Sequence, residues 1–252
     1  MLLIDKILRN TYSKLIRNLI GIRPSFDLIN YTSEGISASD AFFWRTDENF
    51  ETIFRFTNLL KYFYNVSNSN IKIVFFSHNN ELIKEHNVSF SDNLSEIIIN
   101  KSFLNNIEGY GVFYIFHETN EKIKSIIRNS CYTGYSWKKN LPSMVHGNTI
   151  TAQKKFEDKD IQYGIGGYSL LKKLSYTVQN NIEIKKTEIM LVNPTNVKIS
   201  INVNKENFKL KKGCSKLISL DESKVIRITS RCYLLRPIIF ERTDDFINVY
   251  HG

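Results

Sequence analysis

Of the five histidines in the chain, His146 has the neighbours best suited to moving a proton. An imidazole near neutral pH acts as base or acid when an oxygen orients its second nitrogen. Asn148, Ser143 and Tyr135 stand close enough in sequence to do this, and Gly147 lets a ligand or backbone approach closely. The same stretch, 131–148, carries Tyr132, Tyr135 and Trp137, with Lys138 and Lys139 directly after. Aromatic faces stack on the C–H surfaces of sugar rings, and lysines meet a phosphate or a carboxylated sugar. Upstream, Trp44 and Arg45 can frame the same kind of ligand. Each feature also has a plain structural reading. A lone histidine bonds a loop, aromatics fill a seam, a tryptophan closes a core edge and an arginine pairs with a carboxylate.

The usual catalytic signatures are absent. The sequence has no GxxxxGK[ST], GxSxG or HExxH, and Gly164-Ile165-Gly166-Gly167 lacks the third spaced glycine of a dinucleotide fingerprint. His78 and His86 have no third ligand placed by spacing, so no metal and no cofactor is expected. Cys131, Cys214 and Cys232 form no CxxC pair and read as reduced thiols, which fits a cytoplasmic setting.

The elements that must hold these residues are short strands. The chain has 252 residues, enough for one large domain or two ordinary ones. Aromatics make up 13%, which suits sheets better than bundles. Strands are expected at 52–57, 71–76, 82–88, 95–99 and 112–116, with a helical insert at 59–64 and turn residues between them. Residues 25–50 read as a polar, aromatic connection, and 131–148 as a loop. The net charge of +9 permits an anionic partner, but the basic residues are dispersed among acidic ones. Nucleic acid therefore ranks behind carbohydrate and protein as a partner, and no module signature supports it.

Residues 2–20 read as an amphipathic helix. Ile4, Leu8, Tyr12, Leu15, Ile16 and Leu19 recur at spacings of three and four, opposite Lys6, Arg9, Lys14 and Arg17. Such a helix lies on an anionic membrane surface or docks on its own sheets. No stretch is apolar enough to span a bilayer, and no signal peptide is read at the N-terminus.

The second half repeats the first. Thr52 and Asn58 bracket TIFRFTN, and Thr187 and Asn193 bracket TEIMLVN. The following strands match as 71–76 with 197–203, 82–88 with 208–210, and 97–99 with 217–220. At the ends, Ile115-Phe116-His117-Glu118-Thr119-Asn120 parallels Ile239-Phe240-Glu241-Arg242-Thr243-Asp244. An internal duplication accounts for both.

This strand order, with Val192-Asn193-Pro194-Thr195 and Arg236-Pro237-Ile238-Ile239, resembles the small β-sandwich of sensory rhodopsin transducers over about 186–243. That resemblance implies a sandwich used for association or ligand binding rather than catalysis. SDAFFWR and PSMVHGN together resemble a pattern in proteins of bacterial O-antigen and capsule gene clusters.

The expectation is a mainly β chain with two antiparallel β-sandwich units from a duplication. Its parts are an amphipathic helix at 1–24, a first unit at 25–124, a loop-rich segment at 125–182 and a second unit at 183–252. The functional expectation is a non-catalytic sugar-binding or assembly protein of surface-polysaccharide synthesis, cytoplasmic or peripheral on the inner membrane. Residues 1–20 would meet the membrane. Trp44, Arg45, Tyr132, Tyr135, Trp137, Lys138, His146 and Asn148 would meet the ligand. The alternative is a transferase or hydrolase acting on a nucleotide-sugar or lipid-linked glycan, with His146 as base or acid. In that case His146 should meet a carboxylate such as Asp40 or Glu118.

Overall fold

A computed structural model describes residues 7, 10–20, 35–89, 94–129, 131–179, 186–220, 225–233 and 235–252. The chain is mainly β, 56% strand and 6% helix, in five four-stranded sheets. Helix α1 (Thr11–Leu19) lies within the expected span 2–20, and Ile7 ahead of it is also helical. The Asn10 side chain accepts from the Tyr12 amide while its own backbone is extended, so a residue that competes for backbone amides caps the helix. Ile4, Leu8, Lys6 and Arg9, and the side chains of Lys14 and Leu19, lie outside the described residues. Helix α2 (Leu59–Tyr64) follows an Asn58 cap.

Sheet I has the order β10 (Ser143–His146), β9 (Tyr132–Trp137), β3 (Phe50–Thr57), β6 (Leu94–Ile99). Sheet II is β2 (Phe42–Arg45), β7 (Tyr110–Glu118), β4 (Asn70–Ser77), β5 (Leu82–Ser89). Sheet III is β20 (Ile247–His251), β19 (Ile238–Arg242), β14 (Lys186–Val192), β17 (Ser215–Leu220). Sheet IV is β13 (Leu174–Gln179), β18 (Val225–Ser230), β15 (Ile199–Val203), β16 (Glu206–Leu210). Sheet V is β12 (Gln162–Tyr163), β11 (Ile150–Lys155), β1 (Ile36–Asp40), β8 (Ile126–Arg128), with β1 and β8 parallel.

Sheets I and III have the same order when strands are taken in chain sequence, and so do sheets II and IV. Thus β3 corresponds to β14, β4 to β15, β5 to β16 and β6 to β17, as the sequence match places them. The end match does not follow this order. It pairs β7 with β19, yet β7 lies between β2 and β4 in sheet II, whereas β19 lies between β14 and β20 in sheet III. The counterpart of β7 is β18, and that of β19 is β9.

Three buried clusters bind the sheets. Phe54 and Ile99 of sheet I meet Ile73, Phe113 and Ile115 of sheet II. Ile189, Leu191 and Ile239 of sheet III meet Ile201, Ile226 and Ile228 of sheet IV. Between them, Phe43, Val112, Tyr114 and Phe116 of sheet II, Tyr135 and Trp137 of sheet I, and Met190, Val192, Phe240 and Val249 of sheet III form one cluster. Strands β7, β14 and β19 are therefore buried on both faces. Alternate side chains go to different clusters, and the two halves share a core.

Three sequence expectations change. The segment 125–182, expected to be loop-rich, carries β8 through β13. Residues 131–148, expected to be a loop, hold β9 and β10. Strand β9 is an inner strand paired with both β3 and β10, and it is buried at five of six positions. The polar, aromatic connection 25–50 contains β1 and β2, in which every residue is buried. Such strands show no alternation for a sequence reading to detect.

Candidate functional site

Strand β9 places two of the expected site residues at its opposite ends. A strand rises roughly 3.3 Å per residue, so Tyr132 and Trp137 are separated by about 17 Å. They do not belong to one pocket.

At the Tyr132 end, cross-strand register sets His146 opposite Tyr132. Their rings meet edge to face at 5.4 Å, and His251 lies 5.9 Å from His146. Tyr132 is 51% exposed and His146 is also exposed. The alternative reading required a carboxylate beside this imidazole. Asp40 is instead held bidentately by Arg128, at 2.9 and 2.8 Å, and Glu118 is paired with Lys154. Among the described residues no carboxylate bonds His146. Burial, Arg236 and His146 lower the pKa of His251 to about 4. His251 was not singled out from the sequence, although His146-Gly147 and His251-Gly252 are a visible repeated dipeptide. Register makes them counterparts. Thr52 and Thr187 align through the β3 and β14 match. The ladders β3–β9 and β14–β19 then place Tyr132 on Ile238, and the two hairpins place His146 on His251.

Trp44, Arg45, Tyr135 and Asn148 were expected at a ligand and are interior instead. Trp44 is 1% exposed and donates its indole N–H to the Phe76 carbonyl. The Tyr135 hydroxyl donates to the Phe43 carbonyl, and burial pushes its pKa up. Asn148 donates to the Arg236 carbonyl. Arg45 is fully buried, with its guanidinium 2.8 Å from Asp47 and 2.8 Å from Glu188, and 4.0 Å from the Phe50 ring centre. Arg242 joins Glu188 at 3.1 Å and Glu48 at 2.6 Å, and Lys186 bridges Glu48 and Glu188. Three cations and three carboxylates thus form one balanced network. It joins β2 and its following turn to β14 and β19, across the two halves.

At the other end of β9 lies a cleft of about 530 Å³. Lys138, Lys139, Lys101, Asn49, Asn100 and Glu51 are among its lining residues. Trp137 forms the base of Lys138, whose ammonium sits 4.0 Å above the ring. The indole N–H is engaged by the Glu48 carbonyl. Lys138 and Lys139 have φ of 52° and 62°, and the facing turn has Glu48 and Asn49 at 47° and 66°. The left-handed region costs an ordinary side chain about 1–2 kcal/mol, and turns normally place Asn or Gly there.

The cleft offers the exposed Lys138 and Lys139, Lys101 paired with Glu108, amides and a carboxylate, which can bind a hydroxyl-rich anion. The ring patch offers open aromatic edges. Neither pairs a nucleophile with a base. Among the described residues no group of three His, Cys, Asp or Glu is placed to hold a metal. Compared with family models, curated proteins and solved structures, the chain matches none.

Proposed function

We propose that this chain is a non-catalytic sugar-binding or assembly protein of bacterial surface-polysaccharide synthesis, with an acidic glycan seated in the lysine cleft. The observation that carries this reading is the Lys138-Lys139 pair. Two lysines occupy a left-handed turn that favours Asn-Gly, and both face the cleft. Backbone strain retained at a concave, cationic surface points to a binding role.

The test separates function from stability. Lys138→Asn with Lys139→Gly relieves the turn and removes both charges. The variant is expected to gain about 1 kcal/mol of stability and to lose binding to acidic oligosaccharides in a glycan array read against the wild type. A variant that binds as well as the wild type would remove the cleft from this account.

The architecture fits a duplicated sandwich. The eight-strand order recurs, Thr52 and Thr187 are counterparts, and the His-Gly pairs coincide by register without having been used to align the halves. The helix fits attachment to an anionic membrane. Tyr12, Leu15, Ile16 and Ile20 are 77%, 48%, 56% and 62% exposed, and no helix of the described residues is long and apolar enough to cross a bilayer. Leu15→Asp with Ile16→Asp should abolish flotation with anionic vesicles and leave the melting temperature unchanged. A lowered melting temperature without flotation of the wild type would place the helix on protein instead.

A further inference from the structure

A second concave surface lies on the outer face of sheet IV, far in sequence from the lysine cleft. It is a groove of about 430 Å³, within the range of small-ligand sites. Its cations are Lys173, Lys198 and Arg231, and Ser200, Thr229 and Asn207 add hydroxyls and an amide. No aspartate or glutamate lines it. Among the described residues, none of the three cations has a carboxylate within ion-pair distance.

The frame around these groups is fixed. The Ser169 amide donates to the Arg231 carbonyl, and the Ser230 hydroxyl donates to the Ser200 carbonyl. Tyr168 bridges to Cys232 beside the groove. Inward-facing Ile199 and Ile201 anchor β15, which carries Ser200 and follows directly on Lys198, to the core below.

The other half of the molecule supplies a comparison. Its cavity at the corresponding end of sheet II, where β4 begins and β7 ends, has about 380 Å³. Lys72 and Lys154 line it, but so do Glu118, Glu157 and Asp158. Lys154 is paired with Glu118, and Lys72 with Glu85. There two of the three lining lysines are neutralised within the protein, and the third, Lys159, shares the lining with Glu157 and Asp158. In the groove of sheet IV no carboxylate of the described residues pairs with the cations, which leaves all three open to an anionic ligand.

We propose that this groove binds a small phosphorylated sugar. The Arg231 guanidinium and the two ammonium groups meet the phosphate, and the Ser200, Thr229 and Asn207 side chains meet the sugar hydroxyls. A planar guanidinium with flanking ammonium groups suits a phosphate, and unneutralised cations strengthen its charge-assisted hydrogen bonds. This inference goes beyond the lysine cleft and stands if that reading fails.

Calorimetric titration of the full chain with glucose 1-phosphate, inorganic phosphate, glucuronate and glucose tests it. Glucose 1-phosphate is expected to bind at one site, with inorganic phosphate weaker and glucose undetectable. Arg231→Gln and Lys198→Gln are each expected to weaken glucose 1-phosphate by about tenfold. Both side chains are exposed, so the fold should persist. Ser200→Trp should block the groove and abolish binding. The Lys138→Asn, Lys139→Gly variant should bind glucose 1-phosphate unchanged, which separates this site from the cleft. Equal affinity for glucose and its phosphate, binding unaffected by Arg231→Gln and Ser200→Trp, or a clear preference for a single-stranded oligonucleotide would overturn the proposal.

Discussion

Arg45→Met is expected to destabilise the whole chain by about 3–5 kcal/mol. The side chain is fully buried, and two carboxylates from different parts of the chain converge on it. Asp47 is partly exposed and water can solvate it when the arginine is gone. Glu188 cannot be rehydrated in this way. Its side chain is 4% exposed and would keep only Arg242 and Lys186 as partners. The methionine recovers part of the packing against Phe50 and Phe240, so the loss is mainly electrostatic. Because the network and the middle cluster join both halves, the wild type should unfold in one transition in urea. Arg45→Met should shift the midpoint down without splitting it. A double cycle with Glu188→Gln should show coupling, since the two residues touch. Two separate transitions in the wild type would mean that the halves are independent.

Acidification is expected to remove about 3 kcal/mol through His117 alone. The imidazole is fully buried. Its Nε2 accepts from the Leu59 amide, and Nδ1 faces the Asn129 amide at 3.1 Å. Burial lowers its pKa from 6.5 to about 4. The unfolded chain therefore binds a proton that the folded chain refuses between these values. Stability is full above pH 6.5 and falls as the pH drops towards 4. At 1.36 kcal/mol per pH unit, that interval corresponds to about 3 kcal/mol. His251 shifts in the same direction and adds to the slope. Urea midpoints measured from pH 7.5 to 4 check this, and His117→Gln should flatten the profile. A His117→Gln variant as acid-sensitive as the wild type would show that the slope comes from other groups.

How much of this was legible depends on which faces of a strand meet water. Strand β4 and the β15–β16 hairpin show partial alternation and are flanked by turn residues, so they could be placed from sequence. Strands β1, β2 and β9 are buried on both sides and carry serine, glycine and aromatic residues that read as loop. Thr52 and Thr187 both stand on inner strands, β3 and β14, which take the same place in the order of their sheets. The Ile-Phe end match fails because β7 and β19 are each buried on both faces by a shared core. Similar apolar runs arise there without correspondence. The site was only partly legible. Tyr132 and His146 meet across one ladder, as their spacing allows. Arg45 and Glu188 meet across 143 positions, and nothing local to either residue signals that contact.

The central claim is that the chain binds rather than catalyses, and His146 decides it. The gene should be deleted in its host, and the surface glycan profile restored with the His146→Ala form at wild-type abundance. Full restoration is expected, because no carboxylate of the described residues bonds this exposed imidazole and it belongs to none of the buried clusters. Loss of the glycan with a folded, abundant His146→Ala protein would contradict it and make His146 a catalytic residue.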